Sequence, residues 1–563
     1  MLINAFTGEK LTQRRKDAKT QVCLPHSQLA ALYRLILLLA IAIGFGLRLH
    51  LLGRFALRED EAIYSYWALH WLRDPLFLTV WPDKPPLFLW LLAGAFRFLG
   101  NQAASGQFLN ILLSTLTIPV VAMTAQQLWG WRAALAVALT YALNPFAISF
   151  APTVYTDPLL VFAGSLACYL ACSRRTLWCG LWLGVAMMTK QQGMFYIPLV
   201  LGYGMRSAEY GIRNIAPTPF RIPRPEGTRA FRILLGVAIV VAPILYWDSL
   251  RWAVAPSPWD LSVRNYGPLA LAALSEWPAR LLVWSRLAWY LAASWPAWVV
   301  ICLCYFRFWG FFGMQWVDRQ NRPNNPGISE DSGIVEQRKP IPWALIAWAM
   351  AFLVLHTVTT IPAWDRYLLP LAAVFALLVG WLVSRVLTGK MVWVILLLWS
   401  LLLLPPAVQA ATGQLPIGGD HGAYSGLSEA LAWVQQVPGQ RVLYQRNLSW
   451  QTNFYLYNEL YAEKGRRTLT VRWISNSVAL VDNVHNNPVG RKFVLLPTWS
   501  PLLDLPRFAQ MQGVIVYTHR RFGNFSLYEL QTRPRPYCNW CRCVEKKHWL
   551  TVLPFARGKR GFN

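Results

Sequence analysis

Residues 83–100 read DKPPLFLWLLAGAFRFLG, and where this stretch lies decides the architecture of the chain. A lysine and two prolines precede a run of apolar residues that ends at Leu99. Proline is tolerated in the first turn of a helix, where its missing N–H would have no intrahelical partner anyway. Pro85 to Leu99 therefore reads as a helix, either crossing a membrane or lying along its surface. The choice inverts the sidedness of everything that follows.

The surroundings supply the membrane. Of 563 residues, 55% are apolar and 14% charged, against about 25% charged in soluble domains. Mean hydropathy is +0.33, and uncharged blocks near 20 residues match a hydrocarbon core about 30 Å thick. A cytosolic enzyme, a disordered chain and a disulfide scaffold are excluded. The net charge of +27 sits in short clusters between apolar blocks, so it points to membrane topology and away from nucleic acid. Thirty Trp and 22 Tyr fit interfacial belts.

The charge count settles the helix. The first block, Leu29 to Leu52, follows a basic tail (residues 1–28) and has no small-residue cleavage site, so it reads as a retained span with a cytoplasmic N-terminus. With 85–99 in the interface, spans fall at 108–128, 133–150, 158–172, 177–189, 192–205, 231–248, 295–316, 341–358, 367–383 and 391–411, about 11 in all. The cytoplasmic connections then collect fifteen Arg and Lys, among them Arg132, Arg174, Arg175 and Lys390. Counted after residue 100 in both cases, the opposite side up to residue 411 collects six: Lys190, Arg251, Arg264, Arg280, Arg286 and Arg366. That bias follows the positive-inside rule. Blocks 177–189 and 192–205 are short and suit a re-entrant hairpin with Lys190 at its tip. Residues 277–290 read as a second interfacial helix.

After residue 411 the pattern changes. Helix-like stretches (425–436, 450–460) alternate with strand-like runs (441–445, 468–474, 492–496, 514–518, 525–530), which predicts a small extracytoplasmic α/β domain over 412–531. A basic tail, 532–563, carries Cys538, Cys541, Cys543 and His548; without a second ligand pair at zinc spacing these read as incidental thiols.

Several charged residues stand at the non-cytoplasmic ends of spans. Asp60 and Asp157 abut apolar blocks, where an unpaired carboxylate is costly. Lys84 precedes a helix N-terminus, where ammonium and macrodipole together attract an anion, in a membrane a lipid phosphate.

Five segments in order carry a resemblance: DEAIYSYWAL (60–69), DKPPLFLWLL (83–92), YTDPLL (155–160), TKQQG (189–193) and DRYLLPL (365–371). Over about residues 30–410 the chain resembles membrane glycosyltransferases of the GT-C class. The branch is that of protein O-mannosyltransferases, the aminoarabinose transferase of lipid A and the RgtA/B/C/D-like members of family 39. The resemblance implies a polytopic α-helical catalytic domain over 29–411 in the cytoplasmic (inner) membrane. It implies transfer of a sugar from a polyprenyl-phosphate carrier to a lipid, glycan or protein acceptor on the extracytoplasmic face. Matched residue by residue, Asp60 is the expected general base, Glu61 its motif neighbour and Asp157 the second acidic residue. Lys84 is the expected ligand of the carrier phosphate, and Tyr64, Lys190, Arg366 and Tyr367 complete that set. Ile63 stands where aminoarabinose transferases usually carry arginine, a departure from that substrate.

A carboxylate can take the acceptor proton, and Lys84 can stabilise the departing phosphate, with inversion at the anomeric carbon. No cofactor is firmly implied, although Asp60, Glu61 and Asp157 together would suit a hard divalent cation. A transporter or flippase of lipid-linked sugars is the alternative. Transporters often show internal two-fold symmetry, which is not visible here, nor is there a nucleotide-binding motif. A non-catalytic membrane scaffold is a third reading.

Overall fold

The computed structural model describes residues 26–203, 226–306, 342–386, 391–419, 421–463, 467–487, 489–502 and 504–532. The cysteine-containing tail, the basic N-terminal tail up to residue 25 and the whole of 204–225 lie outside the described residues. The chain divides into two compact units. One runs to Leu431 and includes Leu448–Tyr461; the other comprises Ala432–Asn447 and the chain from Ala462 onward.

The first unit is helical and membrane-embedded. Among the described residues, five helices are long and apolar enough to cross a membrane: Ala31–Leu49, Ala103–Trp129, Gly227–Ser249, Asp365–Arg385 and Met391–Ala411. Five shorter apolar helices accompany them: Leu87–Leu99, Asp157–Cys172, Thr176–Thr189, Trp295–Phe306 and Trp343–Val358. Asp365–Arg385 is the most enclosed of the long helices, with 89% of its apolar window buried. Leu87–Leu99 has 13 residues, about 20 Å at 1.5 Å per residue, too short for a 30 Å core without tilt or thinning. Its inner face buries Phe88, Leu89, Leu92, Ala93 and Phe96, while Leu91, Phe98 and Leu99 stay exposed.

Two departures from the predicted spans have local causes. The expected span 133–150 is two helices, Trp131–Ala142 and Pro145–Phe150. Asn144 caps the second by accepting from the Ala147 N–H at 2.9 Å, and Pro145 occupies its first turn. The Asn–Pro pair is a helix start in the middle of an apolar run. The predicted hairpin around Lys190 is helix Thr176–Thr189, a break with Lys190 in extended backbone, a 3₁₀ turn Gln191–Tyr196 and a helix over 197–203. The break is tight. A Cβ on Gly193 would lie 2.3 Å from the Ala186 carbonyl carbon, so only glycine lets the chain fold back there.

The second unit holds a five-stranded sheet: β1 Arg441–Gln445, β2 Leu469–Trp473, β3 Arg491–Pro497, β4 Val514–Phe522 and β5 Phe525–Thr532. The order is β2-β1-β3-β5-β4. The first three strands are parallel, and β5 runs antiparallel to β3 and to β4. β1 and nearly all of β3 are buried, as expected of parallel strands with covered faces. Helices Ser477–His485 and Leu505–Met511, not anticipated from the sequence, pack Val481, Val484, Leu505 and Ala509 against Val442, Val494 and Leu496.

Candidate active site

Helix Glu59–Trp71 begins with three acidic residues, the favourable sign at a helix N-terminus. Asp60 leaves this turn toward Arg366, whose Nη1 lies 2.7 Å from Asp60 Oδ2. The Asp60 side chain keeps 33% exposure while that of Arg366 keeps 7%. Arg366 sits in the 3₁₀ turn Asp365–Leu368 at the head of the most enclosed helix. Its guanidinium lies 4.8 Å from the Tyr155 ring centroid, 4.6 Å from Trp364 and 5.7 Å from Tyr367. Its Nε is buried and has no hydrogen-bond partner among the described residues. Asp365 holds the turn in place, accepting from the N–H of Arg366 and of Gly418.

Two further ion pairs stand beside this one. Lys84, buried ahead of Pro85 and Pro86, donates to Asp83 Oδ1 at 2.8 Å and to the Tyr266 hydroxyl at 3.1 Å, with its Nζ 4.3 Å from that ring. Asn265 donates to the other Asp83 oxygen at 2.8 Å. Lys190 donates to Asp157 Oδ1 at 2.7 Å, with its Nζ 4.4 Å from the Tyr367 ring. Asp157 opens helix Asp157–Cys172 with proline behind it and is 1% exposed.

The three cations share one electrostatic field. Burial pushes Lys190 down to about 8; Asp157 opposes the fall, and Arg366 and Lys84 deepen it. Burial likewise lowers Lys84, against the pull of Asp83. The buried phenol of Tyr64, which feels Arg366 and Asp60, is pushed well above its ordinary 10.0 by loss of water.

Asp60, Lys84, Asp157, Lys190, Arg366 and Tyr367 thus form one linked cluster, with Tyr64 in its field. Glu61 points elsewhere: its two oxygens accept the backbone N–H groups of Arg58 at 3.0 Å and Val154 at 2.7 Å. The three carboxylates considered for a divalent cation do not fit one. Asp60 and Asp157 are each paired with a different cation, Glu61 holds backbone amides, and no set of three potential ligands converges among the described residues.

Sequence reading missed Asp83, Tyr155 and Trp364, each a neighbour of an assigned residue. It also missed Asn265 and Tyr266, which end the nine-residue helix Pro258–Tyr266 in a long connection with no motif of its own.

A family model described as dolichyl-phosphate-mannose-protein mannosyltransferase matches residues 83–219, which include Lys84, Asp157 and Lys190. The structure is similar to that of ArnT from Cupriavidus metallidurans in the apo state, with a TM-score of 0.54 and 14% identity over 89% of this chain and 98% of that one. It is similar to ArnT of the same organism bound to undecaprenyl phosphate, with a TM-score of 0.52 and 14% identity over 90% and 98%. The fold is that of the GT-C glycosyltransferases. The resemblance read from the five segments therefore holds at the level of fold along most of the chain. No curated protein matches the sequence.

Proposed function

We propose that the chain transfers a sugar from a polyprenyl-phosphate-linked donor to a lipid, glycan or protein acceptor on the extracytoplasmic face of the cytoplasmic membrane. The observation that carries this reading is the cluster itself: Lys84, Lys190 and Arg366 share one electrostatic field, and Arg366 holds Asp60, the more open of the carboxylates of the Asp60–Arg366 and Asp157–Lys190 pairs. Buried cations with replaceable partners suit a phosphate on a lipid, and ArnT of like fold has been crystallised with undecaprenyl phosphate. The excess of positive charge on the opposite connections supports the sidedness.

In this mechanism the acceptor O–H or N–H attacks the anomeric carbon while the bond from that carbon to the phosphate oxygen breaks, inverting the centre. Asp60 takes the acceptor proton. Lys84 and Arg366 meet the charge that grows on the leaving phosphate; the buried Nε of Arg366 has no partner among the described residues. Asp157 keeps Lys190 oriented in the same field. Asn265 and Tyr266 bring the 249–294 connection onto the Asp83–Lys84 pair, and acceptor and sugar selection would reside in this connection.

The test is turnover of a lipid-linked sugar by the protein in nanodiscs, read by mass spectrometry. Transfer releases polyprenyl phosphate; a flippase conserves its lipid. Intact donor after long incubation with membrane glycan and lipid extracts would remove the proposal.

A further inference from the structure

Glu61 differs from the other acidic residues near the site in what its carboxylate does. It is 3% exposed, and both oxygens receive backbone N–H groups. The bond from Arg58 is the local one expected of a glutamate in the first turn of a helix. The bond from Val154 is not local: Val154 lies in the 151–156 segment that leads into Asp157.

That segment is also gripped from its other side. Asn110, buried in helix Ala103–Trp129, donates to the Thr153 carbonyl at 2.6 Å and the Tyr155 carbonyl at 2.8 Å. Three consecutive residues thus have a backbone group held by a buried side chain. The Tyr155 ring then lies against the guanidinium of Arg366, the partner of Asp60. A closed circuit results, running from Asp60 through Arg366, Tyr155 and Val154 to Glu61, the chain neighbour of Asp60.

We propose that Glu61 is a positioning residue: by bracing the 151–156 segment it fixes the Asp60 carboxylate relative to the Asp157–Lys190 pair, and it takes no proton from the acceptor. This rests on the transfer reaction proposed above. The chemistry of the brace is specific. A carboxylate accepts on both oxygens, whereas glutamine accepts on one and presents N–H to the other donor. Aspartate keeps the charge but is one methylene too short to reach both amides. Either change leaves a buried N–H unpaired, which the segment relieves by moving. A displacement near 1 Å costs on the order of 10²-fold in rate.

The experiment compares wild type, Glu61→Gln and Glu61→Asp as full-length protein in nanodiscs. Turnover is followed against pH at saturating donor and acceptor, and backbone amide exchange of peptides covering 151–156 is followed without substrate. In both variants kcat should fall about 10- to 100-fold, with the donor KM little changed. The acidic limb of the pH–rate profile, set by the base, should stay where it is in wild type, and exchange over 151–156 should quicken. Loss of the acidic limb in Glu61→Gln with exchange unchanged would make Glu61 the base and overturn the proposal. Wild-type turnover in Glu61→Asp would do the same, since charge alone would then suffice. If wild type transfers no sugar, the reaction falls, but the exchange arm still decides the brace: quicker exchange in the variants supports it and unchanged exchange removes it.

Discussion

Asp60 and Arg366 meet at 2.7 Å although they come from the first turn of helix Glu59–Trp71 and from the head of a late helix, and one side of the pair is open while the other is buried. The contact ties the proposed base to the cation nearest it. Arg366 is held independently by Tyr155 and Trp364, so it has reason to stay when the carboxylate is removed.

Asp60→Asn keeps the shape and removes the proton acceptor. Transfer should fall by about 10²-fold or more, the usual contribution of a general base, while donor binding persists. Donor titrations beside turnover measurements check both. Near wild-type turnover would exclude Asp60 as the base and make Asp157 the next residue to replace.

Lys84→Ala should weaken donor binding and slow turnover together, because the phosphate gains charge as the glycosidic bond breaks. A charge-assisted hydrogen bond contributes about 1.5–3 kcal/mol, or roughly 10- to 150-fold. Lys84→Arg should recover only part, since a planar fork does not replace a point charge. Tyr266→Phe removes the 3.1 Å bond but leaves the ring, and should cost only a few-fold. Titrations with saturating acceptor separate the variants; full affinity in Lys84→Ala would move the phosphate site.

The pH dependence follows from Lys190. Burial brings its ammonium to about 8 from an ordinary 10.5. Turnover should therefore decline as pH rises through about 8, when Asp157 loses its cationic partner, and Lys190→Arg should shift that limb upward. The stability contribution has the opposite sense. Below about 8 both folded and unfolded chains hold the proton and the burial cost is present in full. Between about 8 and 10.5 the unfolded chain binds more protons, so this group's contribution to stability rises with pH. Turnover and thermal unfolding measured across the same pH range should diverge.

Gly193→Ala tests the break that presents Lys190. A Cβ there meets the Ala186 carbonyl carbon at 2.3 Å, and backbone does not yield as a flexible side chain would. A loss of about 1–3 kcal/mol or more is expected, seen as a lowered unfolding temperature and reduced accumulation in membranes. An unchanged unfolding temperature would show that the chain accommodates a Cβ at this break.

Sidedness is checked with single cysteines in a cysteine-free background. One at Arg174, in the connection after Cys172, should resist an impermeant reagent in intact cells, and one at His421 should label. The reverse pattern would invert the proposed orientation.

Much of this arrangement was legible in the sequence because its causes are local. All five strands were found from β-rich runs, with ends off by a few residues at most. The short helices around Lys190 followed from block length, and Asp60, Asp157 and Lys84 stood out as charges at the ends of apolar blocks, whereas Asp83, the partner of Lys84, did not. What escaped was non-local. Nothing in the letters shows that Glu61 bonds a backbone amide at Val154, because an amide carries no residue identity. Asn265 and Tyr266 reach Asp83 and Lys84 from a short helix whose composition is ordinary. The break at Asn144 was readable as an Asn–Pro start but was masked by the length of the apolar run around it.

Arg48 is wholly buried near the end of helix His26–Leu49. It donates to Ser114 Oγ and to the carbonyls of Tyr141, Ala142 and Gly44, and among the described residues it meets no carboxylate. Three of its four partners belong to segments synthesised well after it. The first helix therefore leaves the ribosome with a cation that its own turn satisfies only at Gly44. Until residues 114 and 141–142 arrive, that guanidinium has to reach for the water-facing boundary. Docking of this span around Arg48 can be completed only once those later segments are in place. Arg48→Leu should let the helix enter lipid more readily while leaving the carbonyls at the end of Trp131–Ala142 without their clasp.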